Sequence, residues 1–202
     1  MSDVPAVPRT SRGERTAARL RDAARQVFAE RGYAAARVED VVAAAGVSHG
    51  TFYTYFTNKA GALDALIDET ARELQTVVEE PWDAPDAAQA IATVIERFVD
   101  VFADHADVVG TWLEASAHEP HFRQRLREVR DGYIARVAQQ LDPALASTPH
   151  DPKVAAAALV AMVEGYATQG LRADDAEDRA SRVRTLAALW FGGLLGLTQP
   201  IG

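Results

Sequence analysis

Apolar residues recur along nearly the whole chain at three- and four-residue spacings, with no sustained alternation of apolar and polar positions, so the pattern predicts an all-α fold. Ala17, Leu20, Ala24, Val27 and Phe28 form the inner stripe of a first helix. It opens on the capping pattern Ser11-x-x-Glu14 and ends at Gly32, expected as a left-handed cap. Val38, Val41, Val42 and Ala45 repeat the spacing in a short second helix that stops at Gly46. A third helix follows after three residues, capped by Ser48. Phe52 and Phe56 face inward, and His49, Thr51, Tyr53 and Tyr55 are expected outward. Asn58 caps a long fourth helix carrying Leu63, Leu66, Ile67, Leu74 and Val78, closed near Glu79-Glu80-Pro81. Further helices are predicted over 86–104, 106–117, 120–141, 152–171 and 177–197, nine in all.

Two short helices joined by a glycine-containing turn can form a helix-turn-helix, whose second helix enters the DNA major groove. Spacing alone is weak evidence, because helical hairpins of ordinary packing look the same. The outward face of the third helix adds to it: Gly50 permits close backbone approach, and exposed aromatic and hydroxyl side chains call for a partner. Lys59 adds more. A cation in the first turn of a helix opposes the macrodipole, and a bound anion such as a DNA phosphate would reverse that penalty.

Net charge is −8, which on its face argues against nucleic acid. Its distribution changes the picture: up to Leu63 there are nine Arg and Lys against six Asp and Glu, and beyond it 12 against 23. A basic segment on an acidic body orients the molecule on a phosphate backbone, so only the N-terminal third is a candidate DNA surface. No Arg or Lys occurs between Ser48 and Thr57, so the usual bidentate reader of guanine is missing from the third helix. Specificity then rests on His49, Thr51, Thr54, the neighbouring Arg37, and DNA shape, with Arg37 equally readable as a solvated side chain. Arg9 and Arg12 could enter a minor groove, against an arm that takes no part.

The run Gly46-Val47-Ser48-His49-Gly50-Thr51-Phe52-Tyr53-Thr54-Tyr55-Phe56, with Asn58-Lys59 and Leu63, resembles the signature of the TetR family. Phe28-x-x-x-Gly32-Tyr33 and Val38-x-Asp40-Val41-Val42-x-x-Ala45-Gly46 fall at the same family's spacing, and the likeness spans residues 14–67. It implies a homodimer on a palindromic double-stranded operator, with Ser48, Gly50, Thr51, Tyr53 and Lys59 at positions that touch DNA, mainly its phosphates. His49 stands where base contact varies. Ala36 and Arg37 stand where Thr or Ser is usual, which leaves the cap of the second helix open; Ala60 replaces a frequent acid. The organisation expected is an arm over residues 1–13, a DNA-binding domain over 14–57, and an effector-binding and dimerisation domain over 58–202.

In the larger domain Phe98, Phe102, Trp112, Tyr133, Met162 and Tyr166 are candidates to line an apolar cavity for a small hydrophobic effector, or else fill an ordinary core. The last two helices are apolar around most of their circumference. The resemblance implies a four-helix dimer interface there, so Leu159, Val163, Leu186, Leu189, Trp190 and Leu194 are expected to divide between core and interface. Glu164, amid that stretch, needs a partner, either an Arg across the dimer or a ligand's polar group, with a structural ion pair favoured. His118, Glu119 and His121, with Glu114 and His105, are the nearest thing to a metal group, but Pro120 spoils the ligand spacing and no metal is expected.

The chain has no Cys, which fits a reducing cytoplasm and excludes cysteine-held zinc or iron–sulfur sites. Its N-terminal residues carry no secretion pattern, and its apolar runs are too short to span a bilayer, so no membrane association and a cytoplasmic location are expected. No nucleophile with a paired base, phosphate loop or carboxylate constellation is visible, so neither an enzyme nor a cofactor is indicated. The expected function is a ligand-responsive repressor released from its operator by an effector. The alternative is a helical protein-interaction module without DNA binding, which leaves Tyr53, Lys59 and the divided charge unexplained.

Overall fold

A computed structural model describes residues 11–79, 87–146, 149–170 and 176–195. Among these the chain forms nine helices and no strand: α1 Ser11–Ala35, α2 Val38–Ala45, α3 His49–Tyr55, α4 Lys59–Glu79, α5 Ala87–Asp104, α6 Ala106–His118, α7 Pro120–Leu145, α8 Pro152–Gly170 and α9 Ala176–Leu195. The expected arm lies outside the described residues up to Thr10, Arg9 included; from Ser11 the chain is helical.

The chain divides into two compact units, Met1–Ala71 with Asp107–Gln124, and Arg72–Ala106 with Arg125–Gly202. The first therefore takes in the start of α4 and nearly all of α6 besides α1 to α3. Its core is built on the predicted stripes: Leu20, Ala24, Phe28, Val41, Phe52, Leu63 and Ile67 are almost fully buried. Each large apolar side chain so removed from water contributes about 1.5–3 kcal/mol. Phe28, Tyr33 and Phe122 bring α1 and the start of α7 together, ring centroids 5.7 and 5.5 Å apart.

In the second unit α5 packs on α8 and α9 and buries one apolar row, Ile91, Ile95, Phe98, Val99 and Phe102, at helical spacing. The helix α7 outruns its predicted end at residue 141 and passes through Pro143 to Leu145. Leu141 and Leu145 lie one turn apart, each 3% exposed, and burying the second offsets the hydrogen bond that proline removes near a helix end.

Candidate nucleic-acid interface and ligand cavity

The helix-turn-helix is set by backbone chemistry at three points. At the end of α2, Gly46 adopts φ 60°, ψ 42°, the left-handed conformation a side chain disfavours, and its N–H and that of Val47 satisfy the carbonyls of Ala43 and Val42. The Arg19 guanidinium donates to the Ala45 carbonyl, placing a cation at the negative end of α2. At the start of α3, Ser48 Oγ accepts the Thr51 N–H at 3.1 Å and lies 2.9 Å from the Thr51 hydroxyl. At the α2 cap, Asp40 supplies the acid's half of a capping box by accepting the Arg37 N–H at 3.0 Å, while the Asp40 N–H that a Ser or Thr at position 37 would bind goes to the Arg37 carbonyl at 3.1 Å.

The helical run of α1 is broken by a kink at Gly32, and the α1–α2 turn that starts there is held from both sides. Gly32 has the expected positive φ of 74°, but with ψ 160° rather than a left-handed cap, a combination open essentially only to glycine. That geometry presents the next two N–H groups to Glu114 of α6, whose Oε2 accepts from Tyr33 at 2.9 Å and Oε1 from Ala34 at 3.1 Å. A Cβ at residue 32 would stand 3.1 and 3.2 Å from those same oxygens. On the carbonyl side, Lys59 Nζ donates to Tyr33, Ala34 and Ala36 at 2.7, 3.2 and 3.1 Å, and sits 4.5 Å over the Tyr33 ring. An ammonium has three donors, and all three are taken. The partner that a cation in this first turn requires is thus supplied within the chain, where an external anion was expected.

Around this turn the polar groups are paired. Arg25 binds Asp107 of α6 through two bonds of 2.6 and 2.7 Å. Burial pushes the Asp107 carboxyl up, but the bonds and charge of Arg25, with backbone N–H groups, outweigh it and hold the group below its ordinary value. Burial raises the Tyr33 hydroxyl well above the usual phenol range, and the carboxylate of Glu119 adds to the shift. His121 Nε2 lies 2.9 Å from both oxygens of Asp64. His118, Glu119 and His121 assemble no metal group; among the described residues no cluster of three or more ligating side chains occurs.

Of the nine residues expected at the DNA, Arg37, Ser48, His49, Gly50, Tyr53 and Thr54 are exposed, Tyr53 by 53%, and Thr51 is half-buried. Thr54 returns its hydroxyl to the Gly50 carbonyl at 2.9 Å. Tyr55 is a correction. It is only 6% exposed, because Phe52, Tyr55 and Phe56 fall at i, i+3 and i+4 and bury together, leaving Tyr53 alone among the aromatics outside. Gly50 has no positive φ, and a Cβ there would meet nothing closer than Ser48 Oγ at 3.9 Å, so the fold itself does not require glycine.

The second unit holds a small apolar hollow, with about 30 Å³ of internal space and an open side to solvent. It is bordered by α4, α5, α7 and α8, with Ile95 and Phe98, Tyr133 and Val137, and Leu159 and Val163 among its walls. Phe98 and Tyr133 both border it, their rings 6.0 Å apart and edge-on, with Phe102 buried and stacked on Phe98 at 6.1 Å. Met162 and Tyr166 are half-buried on α8 and outside the lining. Trp112 belongs to the other unit, where it is buried and its indole N–H donates to the Phe122 carbonyl at 3.1 Å. Ile95 and Val137 were missed because aliphatic residues at helical spacing look the same in any core.

Leu159 and Val163, assigned to core or interface, are buried walls of the hollow; Trp190 is buried, Leu186 half-buried, and Leu189 is 65% exposed. The Leu194 side chain lies outside the described residues. Glu164 finds Arg130, whose guanidinium comes within 2.5 Å of Oε2, close enough for Coulomb attraction though off the hydrogen-bonding direction. Burial first, then the Glu164 charge, raises the Tyr133 hydroxyl far above the ordinary phenol range. Among the described residues no helix is long and apolar enough to cross a membrane.

Comparison with known proteins bears on both units. Residues 20–66 match the model for bacterial regulatory proteins of the tetR family, and residues 98–190 that for the C-terminal region of BetI-type transcriptional repressors. The fatty acid metabolism regulator protein of Bacillus subtilis is 33% identical over 115 residues, 56% of this chain and 59% of that protein. The transcriptional regulator EthR of Mycolicibacterium smegmatis is 25% identical over 96% of each. The fold is that of the Bacillus subtilis regulator FadR, solved in complex with stearoyl-CoA, at a TM-score of 0.72 and 23% identity over 89% of this chain and 98% of that one. With a helix-turn-helix region and a C-terminal region both matched, and with relatives that are regulators rather than enzymes, the chain belongs to the TetR family of bacterial transcriptional regulators.

Proposed function

We propose that the chain is a one-component, ligand-responsive repressor: a homodimer that binds a palindromic operator through α3 and lets go when a small hydrophobic effector enters the hollow of the second unit. The observation that carries the DNA half is the outer face of α3, where Tyr53 stands half exposed beside His49, Gly50 and Thr54, with Arg37 and Ser48 flanking. These residues form the reading surface. Thr51 supports it through Ser48, and Lys59 contributes by fixing the α1–α2 turn. With no cation on α3 itself, affinity comes from the flanking Arg side chains and specificity from hydroxyls, imidazole and groove shape.

The hydrocarbon walls of the hollow favour an apolar ligand, and the stearoyl-CoA held by a protein of the same fold makes an acyl chain the first candidate. The effector works only if it binds the released state more tightly than the DNA-bound one. The dimer forms on α8 and α9, where Val154 and Leu189 are 67% and 65% exposed beside exposed Ala158, Ala161, Gly192 and Gly193. A two-fold dimer would set its two α3 helices about 34–36 Å apart, or a multiple of one DNA turn. This reading keeps the chain with the DNA in the cytoplasm.

Selection of bound duplexes from genomic fragments tests the DNA half. An enriched inverted repeat is the expected result, and no enrichment at any salt concentration would favour a protein-interaction module instead. For the dimer, Leu189→Asp should convert a dimer to a monomer in light scattering at micromolar concentration; an unchanged dimer would remove Leu189 from the interface.

A further inference from the structure

The Glu114 carboxylate is 81 and 80 residues from the amides it binds, lies on α6, and belongs to neither α2 nor α3. Its seat is built. Only glycine reaches the φ 74°, ψ 160° of residue 32, and a Cβ there would crowd both carboxylate oxygens. The two N–H groups it binds open a turn in which Lys59 holds the Tyr33, Ala34 and Ala36 carbonyls, and the turn runs directly into Arg37 and the first residue of α2. A second carboxylate on α6, Asp107, lies two helical turns earlier, on the same face, and ties to Arg25 of α1. So α6 grips α1 and the α1–α2 turn by two carboxylates, and Glu114 alone reaches the backbone that leads into the helix-turn-helix.

We infer that Glu114 is a positioning residue for operator recognition: it sets the direction in which α2, and with it α3, leaves the α1–α2 turn, without touching DNA. The inference rests on the DNA-binding reading proposed above. Removing the carboxylate frees two N–H groups and leaves the turn held by Lys59 on its carbonyl side and by the Ala36 N–H to Gly32 carbonyl bond. The turn can then relax by fractions of an ångström, which base-edge contacts on α3 register and loose phosphate contacts do not. Glutamine keeps one acceptor but turns an amide N–H toward the second backbone N–H, so it restores part of the effect.

The test uses the full chain and a duplex selected from a randomised library with the unsubstituted protein, alongside a scrambled duplex of the same length. Glu114→Ala should weaken binding to the selected duplex by about tenfold, the scale of one lost base-pair contact, with binding to the scrambled duplex and the salt dependence of both unchanged. Amide exchange at Tyr33 and Ala34 should quicken, and Glu114→Gln should fall between the two proteins in both measurements. The readout that separates positioning from folding is the ratio of selected to scrambled affinity. Equal losses on both duplexes, or wild-type affinity in spite of faster exchange at Tyr33 and Ala34, would overturn the inference. If Glu114→Ala is insoluble, Glu114→Gln is measured by the same ratio and read the same way. Failure of the unsubstituted chain to select any duplex overturns the DNA-binding reading and this inference together, whereas a selected duplex bound fully by Glu114→Ala overturns this inference alone.

Discussion

The two units are held in different ways. In the first, nearly every turn that places α2 and α3 is fixed by a directional bond: Ser48 to Thr51, Asp40 to Arg37, Arg19 to Ala45, Glu114 and Lys59 to the α1–α2 turn. In the second, the walls around the hollow meet through hydrocarbon, and the polar pairs His105–Glu73, Arg130–Glu164 and Arg136–Glu79 each keep at least one partner exposed. Hydrogen bonds lose strength steeply with angle, while apolar contact depends on area and volume and tolerates rearrangement. On the function proposed, a surface that matches a groove is served by the first kind of cohesion, and a chamber that accepts an effector by the second.

The contrast can be broken most forcefully in the cores. Phe52→Ala, at a side chain with no exposed surface, should cost about 3–5 kcal/mol in denaturant unfolding. Phe98→Ala should cost less, because its ring already borders open space and the neighbouring aliphatic groups can shift into the gap; an equal cost would show that the second unit packs as tightly as the first. Next in size, Tyr53→Ala should lower operator affinity by about 1–3 kcal/mol in a titration at fixed salt while leaving the melting temperature unchanged. Unchanged affinity would remove the outer face of α3 from the DNA surface.

The smallest effect concerns pH. Asp107 has its carboxyl held below the ordinary value, so its bond to Arg25 contributes stability that is complete above the unfolded-state pKa of about 3.9 and is lost as the pH falls through the lower folded value. The gap in urea midpoint between the unsubstituted chain and Asp107→Asn should therefore stay constant from neutrality down to about pH 5 and narrow below about pH 4. A gap that widened on acidification would mean the pair stabilises nothing in the folded chain.

Local features were legible in the sequence. The α1 stripe, Gly46, the Ser48 cap and the Asn58 cap, whose Oδ1 accepts the Gly61 N–H at 2.9 Å, each depend on residues within a few positions of one another. Tyr55 could have been read correctly from its spacing to Phe52 and Phe56, but its hydroxyl suggested an outward role. Lys59 showed as an anomaly, with the wrong partner inferred, because the carbonyls that satisfy it come from the end of another helix. Glu114 and Asp107 carry no local signal, since their partners lie about eighty positions away. Trp112 joined the cavity candidates on aromatic character alone, which does not say in which of two cores a ring is buried.

Gly50 bears on how this chain would respond to being improved. Alanine would fit at that position and favours a helix over glycine by roughly 0.5–1 kcal/mol. A procedure that rewarded only thermal tolerance would therefore install it early, adding a methyl group to the face of α3 proposed to meet DNA. The most robust descendant of this sequence could thus be one that no longer reads DNA, and a glycine kept at this position in a hardened variant would mark that its activity had been selected as well as its endurance.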